Sequence, residues 1–324
     1  MAENSISEVI EEYLALVAAA RSARTAATYR NALNAYQRFL EDQDKDPQQL
    51  PITNVTEDHI LWLASTLKAF SPATERLYLT AFMGFLQFLA AEKRSEINLP
   101  RARLLILQRA RRPGVRLPQF PADSIEQVLS YIQEDHWKLD DILEHIIYLR
   151  DRAFLLTLAD TGLRVHEACA LRRGDLDWNE AKAVVIGKGN REDIVRFSNR
   201  ATTALRAYLQ SRTAWENKTG KPLASLPLFA RHDKGTGGKI KPITTTTGRN
   251  IVAARIREAL GDEAVGSITP HSFRHYFVTR VLRSSGNLKL AQELARHRNI
   301  AVTQRYAHIS DDELDKGYYQ AIEE

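Results

Sequence analysis

The 324-residue chain predicts a mainly α-helical protein with a small β-sheet, divided into two domains. Three observations carry this reading. Apolar residues recur at spacings of three and four over most of the length, the mark of helices that bury one face. Across residues 183–197 the pattern changes to two short runs rich in β-branched side chains. Breakers and arginines crowd into 100–121, where Pro100, Pro113, Gly114, Pro118 and Pro121 interrupt regular structure. The expected division is therefore a helical domain over 1–99, a basic linker over 100–121 and a second domain over 122–324, each domain long enough to bury a core.

In the first domain, Val9, Ile10, Tyr13, Leu14, Leu16 and Val17 form one helical stripe. A second helix over 28–40 places Tyr29, Leu33, Tyr36, Phe39 and Leu40 together, and Thr56-Glu57-Asp58 opens a third through Leu61, Leu63 and Leu67. The fourth runs from Pro72 to Ala91: Ser71 suits an N-cap, Pro72 suits the first helical position, and Leu77, Leu79, Phe82, Phe85, Leu86 and Leu89 follow. After the linker, helical patterns cover 123–134, 139–159 and 164–172. Ala183-Val184-Val185-Ile186 and Ile194-Val195-Arg196-Phe197 then read as a β-hairpin turning through Gly187-Lys188-Gly189-Asn190. Helices are expected again over 199–215, 246–260, 270–284, 287–296 and 300–308.

Composition excludes several classes. With 44% apolar and 26% charged residues, the chain is neither disordered nor fibrous. The apolar run from Leu14 to Ala20 falls far short of the roughly 20 residues that span a bilayer. The first twenty residues hold four glutamates and no base, opposite in sign to a secretory leader, so the expected location is the cytoplasm, away from membranes. A single cysteine, Cys169, permits no intrachain disulfide and no Cys-rich zinc module, and its apolar neighbours point to a core thiol. Lys and Arg outnumber Asp and Glu by 45 to 40, a modest surplus whose distribution says more than its size. Residues 101–121 carry six arginines and no acid. That favours a strap along phosphates, with Arg111, Arg112 and Arg116 as DNA contacts, over a merely solvated linker.

Three partial motifs fail on inspection. His166-Glu167 would begin a zinc-protease pair, but Ala170 stands where the second histidine belongs. Gly235-Thr236-Gly237-Gly238-Lys239 has the look of a phosphate loop, yet Ile240 replaces the Ser or Thr and no strand plainly precedes it. His271 and His275 lie one helical turn apart, but no third metal ligand has an evident place beside them.

Three other segments carry the chemistry. They are Asp160-Thr161-Gly162-Leu163-Arg164-Val165-His166-Glu167, Thr269-Pro270-His271-Ser272-Phe273-Arg274-His275, and Leu294-Ala295-Arg296-His297 continuing to Thr303-Gln304-Arg305-Tyr306. Together they resemble the tyrosine recombinase (phage integrase) family: an arginine after Thr-Gly-Leu, a His-x-x-Arg pair, a later histidine, and a tyrosine nine residues beyond it. The resemblance spans roughly 122–315, and the helical first half with its basic linker is similar to the family's core-DNA-binding, SAM-like domain. One departure is Arg296, which stands where the family often has glycine.

The residue types themselves suit phosphoryl chemistry. A phosphodiester under attack gathers charge on its non-bridging oxygens, and forked guanidiniums such as Arg164 and Arg274 match those oxygens. His271 and Arg274, three apart on one helix, share a face. The resemblance implies that Tyr306 attacks the scissile phosphate and stays joined to the DNA 3′ end, that Lys188 in the hairpin turn protonates the leaving 5′ oxygen, that His297 donates to a phosphate oxygen and that His271 assists proton transfer. Lys182 is the other lysine flanking the same hairpin. No cofactor, metal or ATP is implied. Glu167 is expected to order the helix behind Arg164. Nine residues at about 100° each would put His297 and Tyr306 on opposite faces of one helix. The helix must therefore break between them, with Asn299 suited to begin the next.

The expected function is thus site-specific recombination of double-stranded DNA. The resemblance implies four protomers, alike or shared with a related recombinase, passing through a four-way junction, with accessory proteins possible in principle. An Xer-like two-domain architecture is favoured. Leu314, Tyr318, Tyr319 and Ile322 form a terminal apolar stripe suited either to a neighbouring protomer or to the chain's own core. Two alternatives share the sequence features: a type IB topoisomerase-like relaxing enzyme, and a DNA-binding module without catalysis.

Overall fold

The computed structural model describes residues 4–111, 122–134, 141–187, 192–216, 220–232, 239–297 and 299–304. The chain divides into two compact units, Met1–Arg116 and Leu117–Glu324.

Among the described residues the first unit contains the α-helices α1 (Ile6–Ala20), α2 (Ala23–Glu41), α3 (His59–Thr66), α4 (Pro72–Ala91) and α5 (Leu99–Arg109). Side chains set their starts. Ser5 Oγ accepts the Glu8 backbone N–H at 3.2 Å while Glu8 accepts that of Ser5 at 3.0 Å, a reciprocal cap on α1. Ser71 Oγ accepts the Thr74 N–H, and Pro72 follows at the first helical position of α4. The predicted stripes meet in one core around Ile10, Leu33, Tyr36, Leu63, Phe82 and Leu86. Helix α5 differs from the expectation of a linker beginning at 100. Pro100 opens this helix instead of breaking structure, the Asn98 side chain accepts the Arg101 N–H, and Ala102 and Leu105 are buried in the first core. A proline in the first helical turn sacrifices no hydrogen bond, which is why a tally of breakers misplaces this stretch.

The second unit contains α6 (Ala122–Tyr131), α7 (Ile142–Thr161), α8 (Val165–Ala170), strands β1 (Leu176–Asp177), β2 (Lys182–Ile186) and β3 (Glu192–Arg196), then α9 (Asn199–Ser211), α10 (Thr213–Glu216), α11 (Thr245–Leu260), α12 (Pro270–Ser285), α13 (Leu288–Ala295) and α14 (Ile300–Gln304). Helix α7 is its axis. Phe154, Leu155, Leu156 and Leu158 are all buried because α9, α11 and α12 pack around it. The hairpin is present, with Ala183 opposite Val195 and Val184 opposite Ile194. Ala183, Val185 and Val195 point into the core, while Val184, Ile186 and Ile194 face outward, the alternation of a sheet covered on one side. β1 adds a third antiparallel strand that two residues are too short to announce by periodicity. Cys169 is the expected core thiol: burial pushes its pKa up to about 12. A Cβ on Gly248 would lie 3.0 Å from Cys169 Sγ and from Phe154, so glycine is what lets α11 approach α8 and α7.

Candidate active site

The first motif makes a turn with a purpose. Helix α7 ends at Thr161, and Gly162 follows in the left-handed region at φ 61°. A Cβ there would stand 2.4 Å from the Phe277 ring, so both backbone and packing require glycine. The turn delivers Arg164 to the N-cap of α8. There Glu167 accepts the Arg164 backbone N–H at 2.9 Å and its Nη1 at 2.7 Å. Burial alone would raise the Glu167 pKa, but Arg296 and Arg164 outweigh it and hold the carboxyl below the usual carboxylate range. Its expected place behind Arg164 is therefore found, as a carboxylate.

The second motif begins α12. Pro270 occupies its first turn, and His271 and Arg274 follow on one face. Arg274 is only 3% exposed. Its Nη1 donates to the Gly162 carbonyl at 2.5 Å and its Nη2 to the Ala295 carbonyl. One guanidinium thus gathers the carboxyl ends of α7 and α13, where unpaired carbonyls concentrate negative charge. The His271 and His275 rings meet edge to face, 4.3 Å between centroids. Among the described residues no group of three His, Cys, Asp or Glu side chains is placed to hold a metal ion.

The third motif contains the expected break. Helix α13 stops at Ala295, Arg296 reverses the chain at φ 57° and ψ 43°, and α14 begins at Ile300. The His297 N–H donates to the Gln292 carbonyl, and Gln292 Nε2 donates back to the His297 carbonyl, both at 3.0 Å. His297 Nδ1 lies 2.9 Å from Thr303 Oγ1 on α14.

Electrostatics join the three segments. Burial first, then Arg274, Arg164 and the neighbouring histidines push His297 down to about 4. Burial, Arg274 and Arg164 lower His271 as well, and burial with His271 and Arg274 brings His275 to about 4. Burial and the fixed cations thus disfavour the charged form of all three rings. The structure brings Arg164, His271, Arg274 and His297 into one cluster of hydrogen-bond donors suited to an anion that spreads charge over several oxygens. Lys188 and Tyr306 lie outside the described residues, as do Arg112 and Arg116. Lys182, on β2, is paired with Glu180 at 2.7 Å.

Arg111 is engaged inside the first unit. Its Nε donates to Glu75 at 2.5 Å, its backbone N–H to the same carboxylate at 2.9 Å, and its Nη2 to the Phe70 carbonyl at 2.6 Å. Two further links escaped the sequence reading. Asp160, just before the glycine turn, takes Arg200 with both oxygens at 2.5 and 2.7 Å and also accepts from Ser198, tying α9 to the end of α7. Arg296 places its Nη2 3.0 Å from Glu167. The substitution of arginine for glycine was visible in the sequence, but its partner was not.

Comparison with known proteins identifies the family. Residues 121–313 match the family model described as "Phage integrase family", and residues 10–93 match "Phage integrase, N-terminal SAM-like domain". The tyrosine recombinase XerC of Listeria welshimeri is 29% identical over 299 residues, covering 92% of this chain and 91% of its own. That of Pelobacter propionicus is 37% identical over 175 residues, about half of each chain. Among solved structures, the Tn1549 transposon integrase in complex with circular intermediate DNA superimposes with a TM-score of 0.66 at 19% identity, over 97% of this chain and 99% of the other. The XerH site-specific recombinase bound to palindromic difH substrate, in a post-cleavage complex, gives 0.65 at 18% identity over 91% and 79%. Fold and family models together define a tyrosine recombinase, an enzyme that cleaves and rejoins DNA. The chain belongs to the phage integrase family, and site-specific recombination of DNA is its function.

Proposed function

We propose that this enzyme exchanges DNA strands through a 3′-phosphotyrosyl intermediate held by Arg164, Lys188, His271, Arg274, His297 and Tyr306. The Tyr306 Oη attacks the scissile phosphorus and its proton passes towards His271. The bond to the 5′ oxygen breaks, and Lys188 supplies the proton which that oxygen needs. Arg164 and Arg274 neutralise the non-bridging oxygens, and His297 donates to one of them. The new phosphotyrosyl ester keeps the energy of the broken bond, so a 5′ hydroxyl from either duplex can reverse the reaction without ATP. The observation that carries this reading is that Arg274, on the helix of His271, bonds the carbonyls of Gly162 and Ala295 and so gathers the segments of Arg164 and His297.

In this reading four protomers, identical or shared with a related recombinase, hold two recombination sites and pass through a four-way junction in the cytoplasm. Both domains contact the duplex, and the basic stretch that follows α5 lies along its phosphates. Arg112 and Arg116 contact phosphate there, and Arg111 enters as the anchor of that strap. The test is incubation with supercoiled DNA without added metal, followed by denaturing gels for a covalent adduct. An adduct formed by the wild type and absent from Tyr306→Phe is expected. An adduct that survives the substitution overturns the assignment of the nucleophile, and relaxation without exchange between sites overturns recombination in favour of a topoisomerase.

A further inference from the structure

Among the described residues, Arg296 is a cation of the site that the phosphoryl-transfer reading does not use. Arg296 occupies the left-handed backbone region where a side chain is disfavoured, and its side chain is only 6% exposed. Burial lowers its pKa, with Glu167 acting in the opposite direction. A β-carbon at such a φ costs about 1 kcal/mol, and an enclosed guanidinium loses hydration, so local stability argues for glycine here. What the arginine gains is Glu167. The two oxygens of that carboxylate are divided: Oε1 takes Arg164 Nη1 at 2.7 Å, and Oε2 takes the Arg164 backbone N–H at 2.9 Å and Arg296 Nη2 at 3.0 Å.

Charge accounting shows the consequence. Arg164 is 41% exposed in its side chain and reaches outward, while Glu167 and Arg296 lie behind it at 2% and 6%. With Glu167 as its sole ionic partner, Arg164 would be cancelled and would present a dipole to an incoming phosphate. With Arg296 on the same carboxylate, the trio keeps one net positive charge, and the exposed member is Arg164. Resting on the recombinase reading above, we propose that Arg296 is a positioning residue that holds the Glu167 carboxylate so that the guanidinium of Arg164 remains available, aimed and charged, for the scissile phosphate.

The test compares wild type, Arg296→Gly, Arg296→Lys, and the double variant Arg296→Gly with Glu167→Gln. The probe is a duplex selected by the wild-type protein from a randomised pool. Single-turnover adduct formation is followed at saturating protein, beside DNA affinity and the thermal midpoint. Glycine suits the left-handed turn, so Arg296→Gly is expected to keep its thermal midpoint and its affinity for DNA while cleaving about tenfold more slowly. Lysine, which keeps the charge, recovers most of the rate. So does Glu167→Gln in the glycine background, because the neutral amide no longer cancels Arg164. A purely structural role would follow the thermal midpoint and would not respond to the charge at 167. Cleavage by Arg296→Gly at the wild-type rate overturns the proposal alone, as does a defect that neither Arg296→Lys nor Glu167→Gln relieves. A wild type that forms no adduct overturns the recombinase reading and this proposal with it.

Discussion

His297 Nδ1 stands 2.9 Å from Thr303 Oγ1, so the residue that follows the end of α13 is hydrogen-bonded to the helix that leads towards Tyr306. Thr303 is fully buried, and the contact crosses the break that separates the two helices. It fixes the orientation of the imidazole and, in the proposed mechanism, couples the donor to the segment assigned the nucleophile. Thr303→Val preserves the volume and removes the hydroxyl. Loss of one such hydrogen bond is worth about 1 kcal/mol, so single-turnover cleavage should slow about fivefold with DNA affinity unchanged. An unaltered rate would show that the contact does not orient His297.

Gly162 serves backbone and site together. Alanine there would strain a residue at φ 61° and drive a methyl into Phe277, while its carbonyl is the acceptor that locates Arg274. Gly162→Ala should destabilise the second unit by about 2 kcal/mol and depress cleavage further than the lost stability explains. Denaturant unfolding and adduct yield, measured on the same preparation, separate the two effects.

The histidines make the free protein sensitive to acid. His275 and His297 are held near 4 in the folded state, by burial first and then by neighbouring positive charge, against an ordinary value of 6.5. His59, buried beside Tyr36 at 2.5 Å, is likewise near 4 in the first unit. The unfolded chain therefore binds more protons between these values, so stability is complete above about 6.5 and is lost as pH falls towards 4. The thermal midpoint should drop between pH 7 and 5. An anionic phosphate favours the protonated rings, so DNA binding at pH 6 should take up protons, read as a dependence of the calorimetric heat on buffer ionisation. Heats that do not change between buffers would count against phosphate binding beside these rings.

Arg111 and Glu75 test the anchor of the strap. Glu75 is fully buried at the first turn of α4, and Arg111 holds its carboxyl below the usual range even though burial alone would raise it. Arg111→Ala leaves that carboxylate without its ion-pair partner and should weaken the start of α4 by about 2 kcal/mol. Native-state hydrogen exchange over Pro72–Ala91 reads this directly. Glu75→Gln should restore part of the protection in the alanine background, because a neutral amide is cheaper to bury than a carboxylate.

Much of this molecule was legible before its structure. Ser71 and Pro72 marked the start of α4, the paired β-branched runs marked β2 and β3, and the half-turn offset between His297 and Tyr306 required the break found after Ala295. Each is a local property, set by three to ten neighbouring residues. Helix α5 was missed because proline reads as a breaker unless the helix it begins has a surface to cover. Ala102 and Leu105 acquire theirs only when the first core assembles.

The amino-acid sequence by itself determined most of the helices, the β-hairpin and the need for a break between His297 and Tyr306, because periodicity, capping and residue chemistry are written within a few positions. Only the tertiary structure decided the pairings of Arg296 with Glu167, Arg111 with Glu75 and Arg274 with the carbonyls of Gly162 and Ala295. These partners are 21 to 129 residues apart. A buried guanidinium must find an acceptor or lose its hydration uncompensated, and which acceptor lies within reach depends on how the helices pack.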